Sequence, residues 1–176
     1  MISRSKHRSL AAISLAILCA FPIASSFYIE YHRNAGAPAI GERMPPFAAA
    51  FADGRRFAFD SPRTRKLLIL FYSPACSHCR TEIVNCDSVY KIFSNTLDVV
   101  GVCIDGSADS TGRKGSITPS FPVLTGNSIE LAKSFKVAAV PSLYCIDEDG
   151  VLRQRSTGEN TFQKDSLLIA GFAGTQ

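Results

Sequence analysis

The sequence predicts an α/β domain, because two uninterrupted apolar runs flank a stretch with helical periodicity. The runs are Leu67–Tyr72 (LLILFY) and Leu97–Ile104 (LDVVGVCI), and such runs are typical of strands that are covered on both faces. Between them, from Cys76 to about Ser94, apolar residues recur at the spacing of an amphipathic helix. A strand, a helix and a second strand in this order are typical of a parallel βαβ unit.

Shorter elements are predicted on both sides of this unit. Phe47–Phe51 and Arg55–Phe59 flank Asp53-Gly54, a pair that tolerates the positive φ of a hairpin turn. The polar stretch Asp105–Ser120 is expected to be a loop. The elements predicted after it are an extended piece at Phe121–Leu124, a helix at Ser128–Phe135 with Ser128 at its N-cap, strands at Ser142–Ile146 and Val151–Thr157, and a closing helix at Thr161–Phe172.

The first thirty residues have the pattern of a membrane-targeting segment. Arg4, Lys6 and Arg8 precede Ser9–Ile29, a stretch of 21 residues without charge. A helix of that length is about 31 Å long, close to the roughly 30 Å hydrocarbon thickness of a bilayer. Because the positive charges lie on the N-terminal side, the rest of the chain is expected outside the cytoplasm, where disulfide chemistry is normal.

Two interpretations of this segment stay open. Residues 1–33 are either an uncleaved single-pass signal anchor or a signal peptide cleaved near Ala24-Ser25-Ser26. Residues 34–46, rich in Ala, Gly and Pro, are predicted to be a linker, and residues 47–176 to be the folded domain. We expect this domain to be periplasmic, tethered to the cell membrane in the first case and released in the second.

The charge balance argues against nucleic-acid binding. The chain has 19 Lys+Arg against 15 Asp+Glu, a formal net charge of +4, and three of the basic residues precede the apolar segment. The remainder is therefore close to neutral and lacks the basic footprint that nucleic acids require. No nucleic-acid partner is predicted.

The chemistry is predicted where the first apolar strand meets the helix. Cys76-Ser77-His78-Cys79 is a Cys-x-x-Cys motif at this junction. Cys76 falls at the helix N-terminus, where unpaired backbone N–H groups and the helix dipole favour a thiolate. Cys79 lies one turn further along the same face, close enough to form a disulfide with Cys76. The motif predicts Cys76 as the nucleophile and Cys79 as the resolving cysteine of thiol–disulfide exchange.

Other roles for the motif have less support. A zinc site needs about four ligands, yet there is no second Cys-x-x-Cys, and His7 and His32 lie in or beside the N-terminal segment. No metal and no cofactor are predicted, while a purely structural disulfide stays open. His78 is expected to stabilise the Cys76 thiolate and thereby the reduced form. The alternative is an exposed imidazole that points to solvent.

A second signal, Val140-Pro141, lies 62 residues after Cys79. With it, residues 41–172 resemble the thioredoxin-like superfamily and, within it, the membrane-anchored TlpA/ResA-like (redoxin) thiol–disulfide oxidoreductases. The matching segments are Ile40-Gly41-Glu42, Pro46-Phe47, Asp53-Gly54, Leu67–Glu82, Val99–Asp105, Phe121–Leu124, Val140–Ser142 and Ile146–Gly150. The resemblance implies a thioredoxin-like fold, with a central mixed sheet flanked by helices and preceded by the β-hairpin and the single transmembrane or signal segment.

The resemblance also implies a site and a function. Pro141 is expected to be a cis proline beside the Cys-x-x-Cys that supports catalysis, and Val140 and Pro141 to bind the substrate. The implied enzyme is an extracytoplasmic thiol–disulfide oxidoreductase that acts on protein thiols or disulfides as a monomer. A membrane electron donor is a further implied partner, and the direction of electron flow stays open.

The chain departs from the family pattern near the motif. Thioredoxins have an acidic residue six positions before the first cysteine, where this chain has Leu70, and this chain has no Trp. Glu82 matches the family's acidic residue three positions after the second cysteine and is a candidate to tune Cys79. The favoured interpretation of Glu82, however, is a carboxylate on the helix surface.

Two other functions stay open, a thiol peroxidase and a copper-chaperone-type thioredoxin-like protein. Peroxiredoxin-like proteins have Pro and Thr where this chain has Ile69 and Ser73, so only a weak likeness to them remains. Copper-delivering relatives use a distal His, and no His follows His78. Both alternatives therefore rank behind thiol–disulfide exchange.

The three cysteines that follow the motif are predicted to be small buried hydrophobes. Cys103 and Cys145 are expected on strands at either side of the first apolar strand, about two strand spacings apart, which is too far for a disulfide. A Cys86–Cys103 disulfide is the alternative.

Overall fold

A five-stranded mixed sheet forms the centre of the structure, which is a computed structural model. It describes residues 36–51, 53–105 and 117–174, together with Pro22, Ser25 and Tyr28. The elements are β1 Phe47–Ala50, β2 Arg56–Phe59, β3 Lys66–Tyr72, α1 Ser77–Phe93, β4 Leu97–Cys103, β5 Val123–Leu124, α2 Ser128–Ser134, β6 Ser142–Ile146, β7 Leu152–Thr157 and α3 Phe162–Gly174. The predicted targeting segment, apart from Pro22, Ser25 and Tyr28, and most of the polar loop 105–120 lie outside the described residues.

The strand order confirms the predicted βαβ unit and the mixed sheet. The order is β5-β4-β3-β6-β7, and β3 pairs in parallel with β4 and antiparallel with β6. β1 and β2 form the predicted antiparallel hairpin, in which Gly54 has a φ of +82°, a conformation that glycine adopts without a steric cost. Within the described ranges, no helix is both long and apolar enough to cross a membrane.

β3 is buried over all seven of its residues, because both of its faces are covered. The side chains at positions 68, 70 and 72 belong to the core that includes residues of α1 and α3, and those at 67, 69 and 71 belong to the core that includes residues of α2 and the hairpin. Burying one such side chain contributes roughly 1.5–3 kcal/mol. β3 is thus firmly held, and it fixes where the next segment, with the Cys-x-x-Cys motif, begins.

The N-cap of α2 corrects one local prediction. Ser128 was expected to cap this helix, but it is the first helical residue, and Asn127 occupies the N-cap position with a φ of +57°. Asn enters this left-handed conformation more readily than most residues with a side chain, which the prediction did not weigh.

Part of the predicted linker contacts the sheet edge. The Gly41 N–H donates to the Leu152 carbonyl and the Met44 N–H to the Gly150 carbonyl, both at 2.8 Å. The Met44 side chain is buried. The boundary between linker and domain stays a prediction.

Candidate active site

The Cys-x-x-Cys motif lies at the junction that the sequence predicted. A short turn from Ser73 to Ala75 follows β3, and Cys76 is the N-cap residue of α1, with an extended backbone (φ −85°, ψ 120°). The Cys76 N–H donates to the Ser73 carbonyl at 3.1 Å and so closes this turn. The first turn of α1 therefore presents its N–H groups and the positive end of its dipole near Cys76.

Ser73 has a second anchoring role in this turn. Its hydroxyl donates to Asp105 Oδ2 at 2.7 Å and accepts from the Ala75 N–H at 3.2 Å. Asp105 lies two residues after the end of β4, so these bonds connect the turn to the segment that follows the neighbouring parallel strand. The chain has no Trp, and the turn before the motif is anchored by a small polar residue, Ser73.

The loop before β6 lies against the first cysteine. The Val140–Pro141 peptide bond is cis, which agrees with what the resemblance implied. The Cys76 thiol donates to the Val140 carbonyl across 3.9 Å, a weak sulfur hydrogen bond. The fold therefore brings Cys76, Val140 and Pro141 together although 64 residues separate Cys76 from Val140.

The two cysteines of the motif have different environments. Cys76 is partly exposed, whereas Cys79 lies on the side of α1 that faces the core and is fully buried. Burial raises the pKa of the Cys79 thiol to about 12, and the hydrogen bond to Cys76 and the charge of Glu82 add to the rise, while a backbone hydrogen bond from Ser73 opposes it. Cys79 is therefore protonated near neutral pH, and Cys76 is the sulfur that a substrate can reach.

Glu82 is buried, so the prediction that it is a surface carboxylate is wrong. Its exposure is 1%, and its Oε2 accepts the Asn160 N–H at 3.2 Å. Burial, followed by the nearby Asp165 carboxylate, raises the pKa of Glu82 to about 7, although hydrogen bonds from Asn160 lower it. Glu82 also lies on the same side of α1 as Cys79 and Cys86, a helical spacing that could have located it on the buried face.

His78 lies at the rim of the site and has a partner that the sequence did not indicate. Its side chain is 68% exposed, and Nδ1 lies 2.5 Å from Glu159 Oε2. Hydrogen bonds to His78 and Thr81 hold the pKa of the Glu159 carboxylate below its ordinary value. Glu159 follows β7 without any motif around it, so only the fold reveals this contact. An effect of His78 on Cys76 stays a prediction.

Residues 158–160 contact three parts of the site in succession. The Gly158 N–H donates to the Pro141 carbonyl at 2.8 Å, Glu159 pairs with His78, and the Asn160 N–H donates to Glu82. This short segment therefore connects the cis-proline loop, the motif and the buried carboxylate.

The three cysteines that follow the motif, Cys86, Cys103 and Cys145, are buried as predicted. Cys103 and Cys145 lie opposite Tyr72 and Leu68, on the strands at either side of β3. Neither of them forms a disulfide, nor does Cys86, so the alternative Cys86–Cys103 disulfide is not formed in this structure. Burial raises the pKa of Cys86 and of Cys145 well above the ordinary value, which makes both thiols poor nucleophiles.

This fold and this site together define the class of thioredoxin-like thiol–disulfide oxidoreductases. Residues 40–155 match the model of the AhpC/TSA family, and the chain belongs to that family. It is similar to the thioredoxin-like protein YneN of Bacillus subtilis (strain 168), at 23% identity over 86% of this chain and 91% of that protein. It is also similar to the thiol-disulfide oxidoreductase ResA of Bacillus cereus (strain ATCC 10987 / NRS 248), at 21% identity over 89% and 91% of the two chains.

A solved structure agrees with the fold. The crystal structure of the thiol:disulfide interchange protein DsbE from Chlorobium tepidum superposes with a TM-score of 0.68, covering 78% of this chain and all of that one, at 18% identity. At this identity the likeness confirms the thioredoxin-like fold. The roles of individual residues rest on the geometry described above.

We expect Glu82→Gln to stabilise the protein at alkaline pH. A pKa of about 7 in the folded state, against an ordinary 4.5, means that folding disfavours the ionised form. Below about pH 4, Glu82 is protonated in the folded and in the unfolded state and does not lower the free energy of unfolding. As the pH rises through 7, its ionisation lowers the free energy of unfolding by up to about 3 kcal/mol. Urea unfolding at about pH 4 and about pH 8 should show the advantage of the variant growing by up to that amount.

Glu130→Gln is the matched control, because it removes an exposed carboxylate on α2. Its effect on the free energy of unfolding should be small at both pH values. An advantage of Glu82→Gln that is equal at the two pH values would contradict the buried, proton-binding role of Glu82.

We expect His78→Ala to slow the alkylation of Cys76. Because the imidazole is proposed to stabilise the thiolate, its loss should lower the rate of Cys76 alkylation near neutral pH by roughly threefold. Glu159→Gln, which removes the anion that pairs with the ring, should lower the rate by less. An unchanged rate in His78→Ala would remove His78 from the site.

Proposed function

We propose that this chain is an extracytoplasmic thiol–disulfide oxidoreductase in which Cys76 is the nucleophile and Cys79 the resolving cysteine. The observation that carries the proposal is the contrast between the two sulfurs. Cys76 is partly exposed at a helix N-terminus and beside the Val140 carbonyl, whereas Cys79 is buried one turn deeper. The Cys76 sulfur is thus placed to react with a substrate, and the Cys79 sulfur to react only with Cys76.

The reaction in the reducing direction has two exchange steps. The Cys76 thiolate attacks one sulfur of a substrate disulfide, the substrate S–S bond breaks, and a mixed disulfide forms while the other substrate sulfur leaves as a thiolate. Cys79 then loses its proton and attacks the Cys76 sulfur. The Cys76–Cys79 disulfide forms, the substrate is released as a dithiol, and two electrons have passed to it. The reverse sequence oxidises a substrate.

Glu82 supports the second step as the proton acceptor for Cys79. A thiol with a pKa of about 12 needs a base, and Leu70 fills the place of the acidic residue of thioredoxins. Glu82 lies three residues after Cys79, is buried beside it, and has a pKa of about 7. Its carboxylate is therefore a stronger base than an exposed one, and it lies within the same dry environment.

The substrate is proposed to be a protein thiol or disulfide that binds along the cis-proline loop. The Val140 carbonyl, which accepts the Cys76 thiol, is a backbone group available to an extended peptide next to the attacked sulfur. Pro141, whose carbonyl is held by the Gly158 N–H, keeps this loop in place. His78 and its partner Glu159 lie at the exposed rim and are placed to influence the Cys76 thiolate.

The proposed location of the domain and its proposed partners rest on the sequence. The charged tip and the apolar segment that follows it support a membrane-anchored or exported chain with the domain in the periplasm. A membrane electron donor would then regenerate the dithiol if the enzyme is a reductant. We propose that the domain acts as a monomer.

We expect Cys76→Ser to abolish disulfide exchange and Cys79→Ser to stop it at the mixed disulfide. The reason is that the first variant lacks the attacking sulfur, and the second lacks only the sulfur that resolves the intermediate. Insulin and glutathione disulfide are suitable substrates, and intact mass spectrometry detects the trapped adduct on Cys76.

Cys86→Ala, which removes a buried thiol from the same helix, is the control and should retain exchange. Exchange that persists in Cys76→Ser would contradict the proposal. Rapid reduction of hydrogen peroxide by Cys76 would favour the thiol peroxidase, and tight copper(I) binding by the dithiol would favour the copper-chaperone type.

A further inference from the structure

A closed cluster of polar side chains lies between α1 and α3, behind the motif. It consists of Glu82, Asn85, Asn160 and Asp165, all of them buried, with exposures of 1% for Glu82 and 0% for Asp165. Asn85 Nδ2 donates to Asp165 Oδ2 at 3.0 Å, and Asn160 Nδ2 donates to Asp165 Oδ1 at 2.9 Å. Both oxygens of the Asp165 carboxylate therefore accept an amide N–H.

Asn160 joins the two carboxyl groups of this cluster, because its N–H donates to Glu82 Oε2 at 3.2 Å and its Nδ2 donates to Asp165 Oδ1 at 2.9 Å. Two ionised carboxylates buried in one cluster repel each other, so the pair is favoured with one proton. Because Asp165 already accepts two amide donors and Glu82 accepts one backbone N–H, the negative charge is better stabilised on Asp165. The proton is then held by Glu82.

The surroundings of the pair contain little compensating charge. The titratable groups that act on the pair or lie against it are Cys79 and Cys86 from α1, Cys145 from β6 and Lys164 from α3. Lys164 is the one cation among these groups, and it acts on Asp165. A second negative charge on Glu82 is therefore opposed first by burial and then by repulsion from Asp165.

We propose that Asp165 is a positioning residue that makes Glu82 a strong enough base to accept the proton of Cys79. This inference rests on the proposed function and extends it to a residue on a different helix. Because the pKa of Glu82 is about 7, part of the protein near neutral pH has lost the Glu82 proton to solvent, and in that form Glu82 is the base. When Cys79 attacks Cys76, its proton passes to this carboxylate and the pair returns to its singly protonated form. The electron pair left on the Cys79 sulfur forms the new S–S bond, while the bond from Cys76 to the substrate breaks and the substrate sulfur leaves as a thiolate. Burial of the Glu82 carboxylate and, after it, the repulsion from Asp165 favour this uptake.

A purely structural role for Asp165 makes a different prediction. Asp165 lies in the first turn of α3, where a carboxylate is stabilised by the helix dipole. In that role, its replacement would lower the stability of α3 but would leave the titration of Glu82 where it is. The pH dependence of Glu82 therefore separates the two roles.

The test is Asp165→Asn in the full chain, with the carboxyl titration followed by infrared difference spectroscopy. The wild type should show one buried carboxylic acid that ionises near neutral pH. In the variant the midpoint should fall by at least about one unit, a tenfold weaker base. In single turnover, resolution of a glutathione mixed disulfide on Cys76 should slow by a similar factor near neutral pH.

Asp87→Asn is the matched control, because Asp87 is a carboxylate of α1 that bonds to Ser120 and lies outside the cluster. In this variant, the midpoint of the buried carboxyl titration and the rate at which the glutathione mixed disulfide is resolved should equal those of the wild type. An Asp165→Asn midpoint within about 0.3 units of the wild type would overturn the proposal. If Asp165→Asn does not fold, Asp165→Ser, with a smaller neutral side chain, is held to the same two criteria.

The outcomes also separate this proposal from the proposed function. Exchange that survives in Cys76→Ser would end the proposed function. An unshifted titration in the Asp165 variants, with exchange still dependent on Cys76, would end only the role of Asp165.

Discussion

The burial of Cys79, which lies in the first turn of α1, is the constraint on which the site depends. β3 is covered on both faces, so the chain must leave the sheet after Tyr72 and enter α1 through a short turn. That geometry places one sulfur at the open end of the helix and the other in the core. The chemical difference between two cysteines thus follows from their positions at a strand–helix junction.

A buried thiol of high pKa needs a proton acceptor, and the proposed acceptor, Glu82, lies on the same helix three residues after Cys79. Glu82 is unfavourable for stability once ionised, and the amides of Asn85 and Asn160 offset part of the cost of burying its partner Asp165. Residues 158–160 connect this cluster to the cis-proline loop and to His78. The back of the site is therefore tied to the same elements that would meet a substrate.

The sequence was sufficient for the fold and for the motif, because both depend on local patterns. The run LLILFY, the helical spacing after Cys76 and the Val140-Pro141 pair are each formed by residues that lie close together in the sequence. Glu159 and Asp165 could not be assigned in this way, since their partners on α1, His78 and Asn85, are 81 and 80 residues away. Glu82 lay within reach of the helical pattern, but a charged side chain is normally exposed, and this general expectation gave the wrong answer.

The most direct test of this account is the alkylation of the reduced protein, with each cysteine quantified by peptide mass spectrometry between about pH 5 and pH 10. The account predicts that Cys76 reacts near neutral pH, while Cys79 stays unmodified across the range and reacts only after unfolding, as burial and a pKa of about 12 require. Equal rates for the two thiols, or faster modification of Cys79, would contradict it.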